Sequence, residues 1–257
     1  MTGTHGQLLV IDGISKSYLE PDKNERLPVL DDISFHAGQG EIVVIVGPSG
    51  CGKSTLLNII AGFETAEEGQ VNFLGKPVLE PSPQRAMVFQ SAVLFPWLSV
   101  RDNICYGLKR KGVSKNSIGE LTRRYVEMVG LKGFEDFFPE QLSGGMQQRT
   151  ALARVLILQP DILLMDEPFA SLDAMSRSDM QLMLLDLWET FKPVIIFVTH
   201  DVEEALFLTD KVYVMGKRPG KIIGSINVPF KRPRALSLTS TLPFAQLKSR
   251  LRSMLIK

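Results

Sequence analysis

The chain has 257 residues, a formal net charge of +1 and 44% apolar residues, enough for one large domain or two intimate ones around a substantial core. A near-neutral balance with no block of like charge excludes a nucleic-acid grip built on phosphate neutralisation, which needs a basic stripe. No apolar run approaches the roughly 18–20 residues that span a bilayer, Met1 to Gln7 has no cationic or apolar signal region, and two isolated cysteines, Cys51 and Cys105, suit a reducing compartment.

Leu8 to Ile14 (LLVIDGI) and Val29 to Phe35 (VLDDISF) read as strands, separated by a charged, proline-containing loop from Glu20 to Pro28. Tyr18 sits just before that loop. On position alone it is either a partly buried edge-strand aromatic or a platform on which a base stacks. Glu41 to Val46 (EIVVIV) is a short apolar, β-branched run, as a buried strand should be. Gly47, Pro48, Ser49, Gly50, Cys51, Gly52, Lys53, Ser54 and Thr55 follow, reading G-x-x-x-x-G-K-S, and TLLNIIA continues as a helix. Strand, glycine loop and helix in that order make a phosphate-binding loop. Its backbone N–H groups and the helix N-terminus face phosphate oxygens. Lys53 reaches the β- and γ-phosphates and Ser54 offers its hydroxyl to Mg²⁺.

Glu67-Glu68-Gly69 reads as a turn, Gln70 to Leu74 as an alternating strand, and Arg85 to Phe89 as a short strand ending at Gln90. From Ser91 to about Gln159 the periodicity is helical, with Leu121, Tyr125, Met128 and Val129 on one face and breaks at Gly112, Gly130 and Gly133. This predicts a helical subdomain inserted into a strand-rich one. Phe95, Pro96, Trp97 and Leu98 put large apolar groups beside a proline, either as core or as a docking surface, with Trp97 the better docking candidate. Ser143 is a natural N-cap for the helix through TALARVLIL. Gly144 and Gly145 weaken its first turn, which makes sense where an anion approaches a bare helix N-terminus.

Ile162 to Met165 (ILLM) is another buried strand, with Asp166 and Glu167 at its carboxyl end, where parallel sheets bind ligands. Asp166 can hold Mg²⁺ opposite Ser54, and Glu167 can orient or deprotonate a water aimed at the γ-phosphate. Val194 to Val198 (VIIFV) is a third such strand, so His200 projects from the same edge, either as a structural histidine or as a contact to the γ-phosphate. Val212 to Met215 is a further strand and Lys217 to Gly220 a turn. The tail from Leu242 to Ile256 spaces Phe244, Leu247, Leu251 and Leu255 as a helix, either packed on the domain or lying on a membrane surface.

These motifs together resemble the nucleotide-binding subunit of ABC transporters over nearly the whole chain. The matching residues are the phosphate loop, Gln90, LSGGM at Leu142 to Met146, ILLMDEP at Ile162 to Pro168, Ser171-Leu172-Asp173 and His200. The signature ends in Met146 where the superfamily usually has Gln. The resemblance implies an α/β fold, a P-loop NTPase (RecA-like) core with an antiparallel β subdomain and an inserted α-helical subdomain. Residues 1–90 and 160–220 then form the core with its N-terminal β subdomain, 91–159 the helical subdomain and 221–257 a tail. Tyr18 becomes the adenine platform. Two domains pair head to tail around two Mg-ATP, so that Ser143, Gly144 and Gly145 of one cap the nucleotide held by the other. Asp173 sits at the seam. Gln90 touches metal and water on one side and relays to the permease on the other.

SAVLFPWLSVRDNI at Ser91 to Ile104, LSGGMQQR and VPFKRPR at Val228 to Arg234 are similar to the nitrate, sulfonate and taurine importer subfamily. That resemblance implies an ATP-hydrolysing subunit, dimeric with itself or a paralogue. It would be peripheral at the cytoplasmic membrane face through integral permease subunits, served indirectly by a substrate-binding protein, and free of nucleic acid. The alternatives are an exporter subunit or a soluble ABC ATPase. The stretch after His200 leaves no room for the large regulatory domain of sugar-importer ATPases.

Overall fold

The computed structural model describes residues 7–20 and 25–255. The start of the chain and residues 21–24 of the expected loop lie outside the described residues. In chain order the first half runs β1 (Gln7–Glu20), β2 (Glu25–Gly38), β3 (Ile42–Val46), α1 (Lys53–Ala61), β4 (Glu68–Phe73), β5 (Lys76–Pro77), β6 (Arg85–Val88), α2 (Val100–Arg110) and α3 (Lys115–Met128). Then come α4 (Gly144–Leu156), β7 (Ile162–Asp166), α5 (Ala174–Phe191), β8 (Val194–Thr199), α6 (Val202–Leu208), β9 (Lys211–Met215), β10 (Ile222–Asn227) and α7 (Leu242–Leu255).

Six strands form the central sheet in the order β10-β9-β3-β8-β7-β6. Its pairs are parallel except β10 on β9. A parallel sheet is covered on both faces, so its strands read as unbroken apolar runs. Every residue of β3 is 0% exposed. Val43 and Ile45 join the core shared with α1 and the antiparallel sheet β2-β1-β4-β5, while Ile42, Val44 and Val46 join the core built with the helices. The carboxyl ends of β3, β7, β8 and β9 thus share one edge, and the phosphate loop, Asp166 and His200 emerge there.

Three boundaries differ from the sequence reading. The expected loop from Glu20 to Pro28 is shorter, because Tyr18 pairs with Leu27 and Ser17 with Pro28 across β1 and β2. Pro28 is tolerated because β2 is the edge strand of its sheet. Glu68 and Gly69, read as a turn, begin β4. The core also continues past residue 220. β10 joins the central sheet, and its sequence IIGSIN hides this because Ile226 alone is buried.

In the helical stretch, the N-caps Ser99, Ser114 and Ser143 each accept a backbone N–H. Residues 91–99 are not helical. Asn103, 0% exposed, holds them: its Nδ2 donates to the carbonyls of Phe95 (3.2 Å), Leu98 (2.9 Å) and Ser99 (3.1 Å), and its Oδ1 accepts from Phe95 N at 2.9 Å. Arg154 of α4 donates to Val93 O at 3.0 Å and lies 5.4 Å over the Phe95 ring. This loop is therefore fixed to the helical subdomain.

The tail helix α7 is packed on the domain, with Phe244 and Leu251 at 0% exposure, which removes the membrane-surface reading. The VPFKRPR ending is a structural seam. Arg234, buried, donates to Phe207 O (2.9 Å) and Thr209 O (2.7 Å), satisfying carbonyls at the end of α6, and to Phe230 O (2.8 Å) of its own segment.

Candidate nucleotide site

A cleft of about 490 Å³ opens at the carboxyl edge of the sheet, lined by Tyr18, Ser49, Gly50 and Gly52 to Thr55 of the loop, Gln90, Asp166 and Glu167. The loop geometry depends on glycine at Gly52. Its φ is +102°, and a Cβ there would lie 2.7 Å from Leu30 Cδ2. Lys53 is 5% exposed, and its Nζ donates to the carbonyls of Gly47 and Pro48, both at 3.0 Å. Cys51 points inward, and burial raises its thiol pKa, so it is a packing group of the loop.

Glu167 joins two cationic or ionisable partners. Its Oε1 lies 3.4 Å from Lys53 Nζ, and its Oε2 lies 2.7 Å from His200 Nδ1. Its backbone has φ +42°, a conformation non-glycine residues seldom adopt, and its N–H donates to Val198 O at 3.0 Å. That bend turns the carboxylate back over the loop instead of along the strand. The result is a chain of Lys53, Glu167 and His200 across the mouth of the sheet.

Burial raises the Asp166 pKa, against the opposing effect of the nearby Ser54 hydroxyl. A half-buried carboxylate beside a hydroxyl, with Gln90 on the same cleft wall, fits a divalent cation that would relieve the desolvation penalty. Among the described residues no cluster of three His, Cys, Asp or Glu side chains could cage a metal alone. Mg²⁺ would accordingly lean on phosphate oxygens and water, as it commonly does.

Tyr18 stands on the cleft wall, 39% exposed, its hydroxyl donating to Glu64 and Lys16 Nζ lying 5.5 Å from its ring centre. The ring is thereby fixed while one face stays open. The signature is elsewhere. Ser143, Gly144 and Gly145 do not line this cleft. Ser143 Oγ accepts Met146 N at 3.3 Å, and Cβ atoms built on Gly144 and Gly145 would come no closer than 4.0 and 3.8 Å to other elements of the chain. Nothing within the chain requires glycine there. Asp173 is also outside the cleft, capping α5 by accepting Met175 N and Ser176 N at 3.0 Å.

Phe95 is half-buried against Tyr106, with ring centres 4.6 Å apart, whereas Trp97 is 70% exposed. A second groove, about 720 Å³, opens between α2 and α3 over Cys105, Val113, Ile118 and Val126. The sequence reading missed Leu27, Val29 and Arg218 in the nucleotide cleft. Leu27 and Val29 lay in what read as loop or plain strand, and Arg218 in what read as a turn.

A family profile described as "ABC transporter" matches residues 30–170. The aliphatic sulfonates import ATP-binding protein SsuB of Bacillus cereus is 43% identical over 226 residues, 87% of this chain and 88% of that one. The nitrate import ATP-binding protein NrtD of Synechococcus elongatus is 40% identical over 245 residues, 94% and 89% of the two chains. Among solved structures, a dimeric ATP-binding cassette in a post-hydrolysis state with ADP and Pi superposes with a TM-score of 0.75 at 27% identity, over 87% of this chain and 100% of the other.

Proposed function

The chain belongs to the ABC transporter family as an ATP-hydrolysing, importer-type subunit, and from that premise we propose that it drives uptake of a small anionic solute of the nitrate, sulfonate and taurine class. The relatives named for nitrate and sulfonate import, aligned over most of the chain, support this solute class. The observation that carries the chemistry is the Glu167 carboxylate held between Lys53 and His200.

Ser54, Asp166 and Gln90 would hold Mg²⁺, which would supply neutralisation of phosphate charge there. Phosphate oxygens, being anionic, outcompete the neutral carbonyls of Gly47 and Pro48 for the Lys53 ammonium. Glu167 orients a water and accepts its proton. As the water oxygen bonds to the γ-phosphorus, the bond to the bridging oxygen breaks, leaving ADP and inorganic phosphate. His200 fixes the Glu167 carboxylate and donates toward the γ-phosphate. Tyr18 takes the adenine ring on its open face.

The site is completed by a second copy. The phosphate loop and the signature helix of one chain do not share a cleft, and the glycine-lined N-terminus of α4 suits the phosphate of an ATP bound elsewhere. Asp173 lies at the seam between copies. A ligand bridging two surfaces stabilises the assembled state by mass action. Mg-ATP is therefore expected to convert a Glu167→Gln chain, which holds ATP without consuming it, from monomer to dimer in light scattering. A monomer at saturating ATP, with binding verified, would overturn the self-paired sandwich.

The helical subdomain carries the link to the permease, which holds this chain at the cytoplasmic membrane face; among the described residues no helix is long and apolar enough to cross a membrane. Trp97 stands free on a loop that Asn103 and Arg154 fix rigidly, and the groove between α2 and α3 offers an apolar floor with Lys109 and Lys115 at its rim. Such a surface suits an amphipathic helix. Phe95 supports Trp97 from below at 5.6 Å between ring centres. Trp97→Ala is expected to leave ATP binding and the melting temperature unchanged while transport falls and the subunit separates from the permease on purification. Normal transport by the variant, or an unfolded chain, would refute the docking role.

A further inference from the structure

We propose that Arg218 is a nucleotide-binding residue of this cleft, a second cation that grips the polyphosphate from the side of the loop opposite to Glu167. The sheet order fixes those sides. β9 flanks β3 on one side and β8 on the other, with β7 beyond β8. Glu167 follows β7 and His200 follows β8, whereas Arg218 follows β9. Val214, near the end of β9, is level with Val46 at the end of β3, so the chain leaves β9 directly beside the phosphate loop.

The turn that carries Arg218 is built against that loop. Gly220 N donates to Val29 O at 2.8 Å, Asp31 N donates to Gly220 O at 3.0 Å, and Lys221 pairs with Asp31 at 2.7 Å. No side chain fits at Gly220, where a Cβ would lie 2.2 Å from Cys51 O. The turn is thereby tied to β2 on one side and seated on the phosphate loop on the other. Arg218 Nε donates to Gly50 O at 3.2 Å, which aims the guanidinium, and the residue lines the cleft with Tyr18, Leu27 and Ser49.

The remaining donors of that guanidinium have no acidic partner among the described residues; the ion pairs of neighbouring basic residues go elsewhere, as with Lys221 on Asp31. An oriented, exposed guanidinium whose Nη1/Nη2 edge is free matches phosphate oxygens in fork geometry. The cleft also has use for a second positive charge. Lys53 is shared with Glu167, and Asp166 adds another negative group, so one ammonium alone faces two carboxylates before any polyphosphate arrives. Because Arg218 and the proton-accepting Glu167 flank the loop from opposite sides, Arg218 contributes to ground-state binding and not to bond cleavage.

The inference rests on the ATP reading of the cleft, and the test separates the two. A fluorescent ATP analogue and the matching ADP analogue are titrated into the full chain, and ATPase kinetics are measured alongside. Arg218→Gln keeps an N–H for Gly50 O and removes the charge; Arg218→Lys keeps the charge. The glutamine variant is expected to weaken both nucleotides by about 3–10-fold, to raise KM by the same factor and to leave kcat within about twofold. Its affinity should also depend less on salt. The lysine variant should recover most of the loss. Unchanged affinity in Arg218→Gln, a fall in kcat at constant KM, or a loss that Lys does not restore would overturn the assignment. Failure of the unaltered chain to bind either analogue would overturn the ATP reading of the cleft as well.

Discussion

Glu167→Gln is expected to lower ATP turnover by about 10²–10⁴-fold, the usual contribution of a positioned base, while nucleotide affinity is retained. The amide has the shape of the carboxyl group, so the bend at φ +42° and the bond to Val198 O survive the change. It can still accept from Lys53 through its oxygen. What it loses is the capacity to take a proton from water and the charge that holds the His200 ring at 2.7 Å. Single-turnover phosphate release in the assembled complex, with equilibrium binding measured in parallel, reads both quantities. Near-normal turnover would remove Glu167 from the proton-transfer step. Loss of binding would instead make its pairing with Lys53 a structural support of the loop.

Most of this site is legible in the sequence because its residues sit next to strong local signals. β3, β7 and β8 are buried on both faces, so each announces itself as an apolar run. The residue after each run then lies at the sheet edge by topology alone. That places Lys53, Asp166, Glu167 and His200 without any long-range information. Residues missed are those set by pairing between distant segments. Leu27 reaches the cleft because β2 continues upstream of Pro28 against β1, an edge-strand extension with no apolar pattern. Arg218 reaches it because an edge strand of low burial, β10, folds its hairpin turn back onto the loop. Asn103 is the converse case: a polar residue on a helix that is 0% exposed because four hydrogen bonds to the preceding loop satisfy it, something composition cannot reveal.

Glu204→Gln is expected to stabilise the chain at pH 8 and to do so much less at pH 5. Glu204 lies in α6, 5% exposed, beside a small cavity of about 40 Å³ that Glu167, His200 and Arg177 also line. Burial pushes its pKa from 4.5 up to about 7, against opposing hydrogen bonds from Thr199 and Gln181; the charge of Asp201 raises it further and that of Arg177 lowers it. Below pH 4.5 the carboxyl is protonated in both folded and unfolded chains and imposes no penalty. As pH rises from 4.5 to 7, the unfolded chain gives up its proton first, so stability falls; above 7 the full penalty is present. Glutamine is neutral at every pH and still accepts from Gln181 Nε2, which lies 3.3 Å from Glu204 Oε1. The gap between variant and parent should therefore widen by roughly 2–3 kcal/mol between pH 5 and pH 8. For a chain of this size that is a shift of about 4–12 °C in relative melting temperature. Denaturant unfolding at both pH values measures it. A pH-independent gap, or a variant less stable than the parent at pH 8, would show that Glu204 is ionised throughout and held by Arg177.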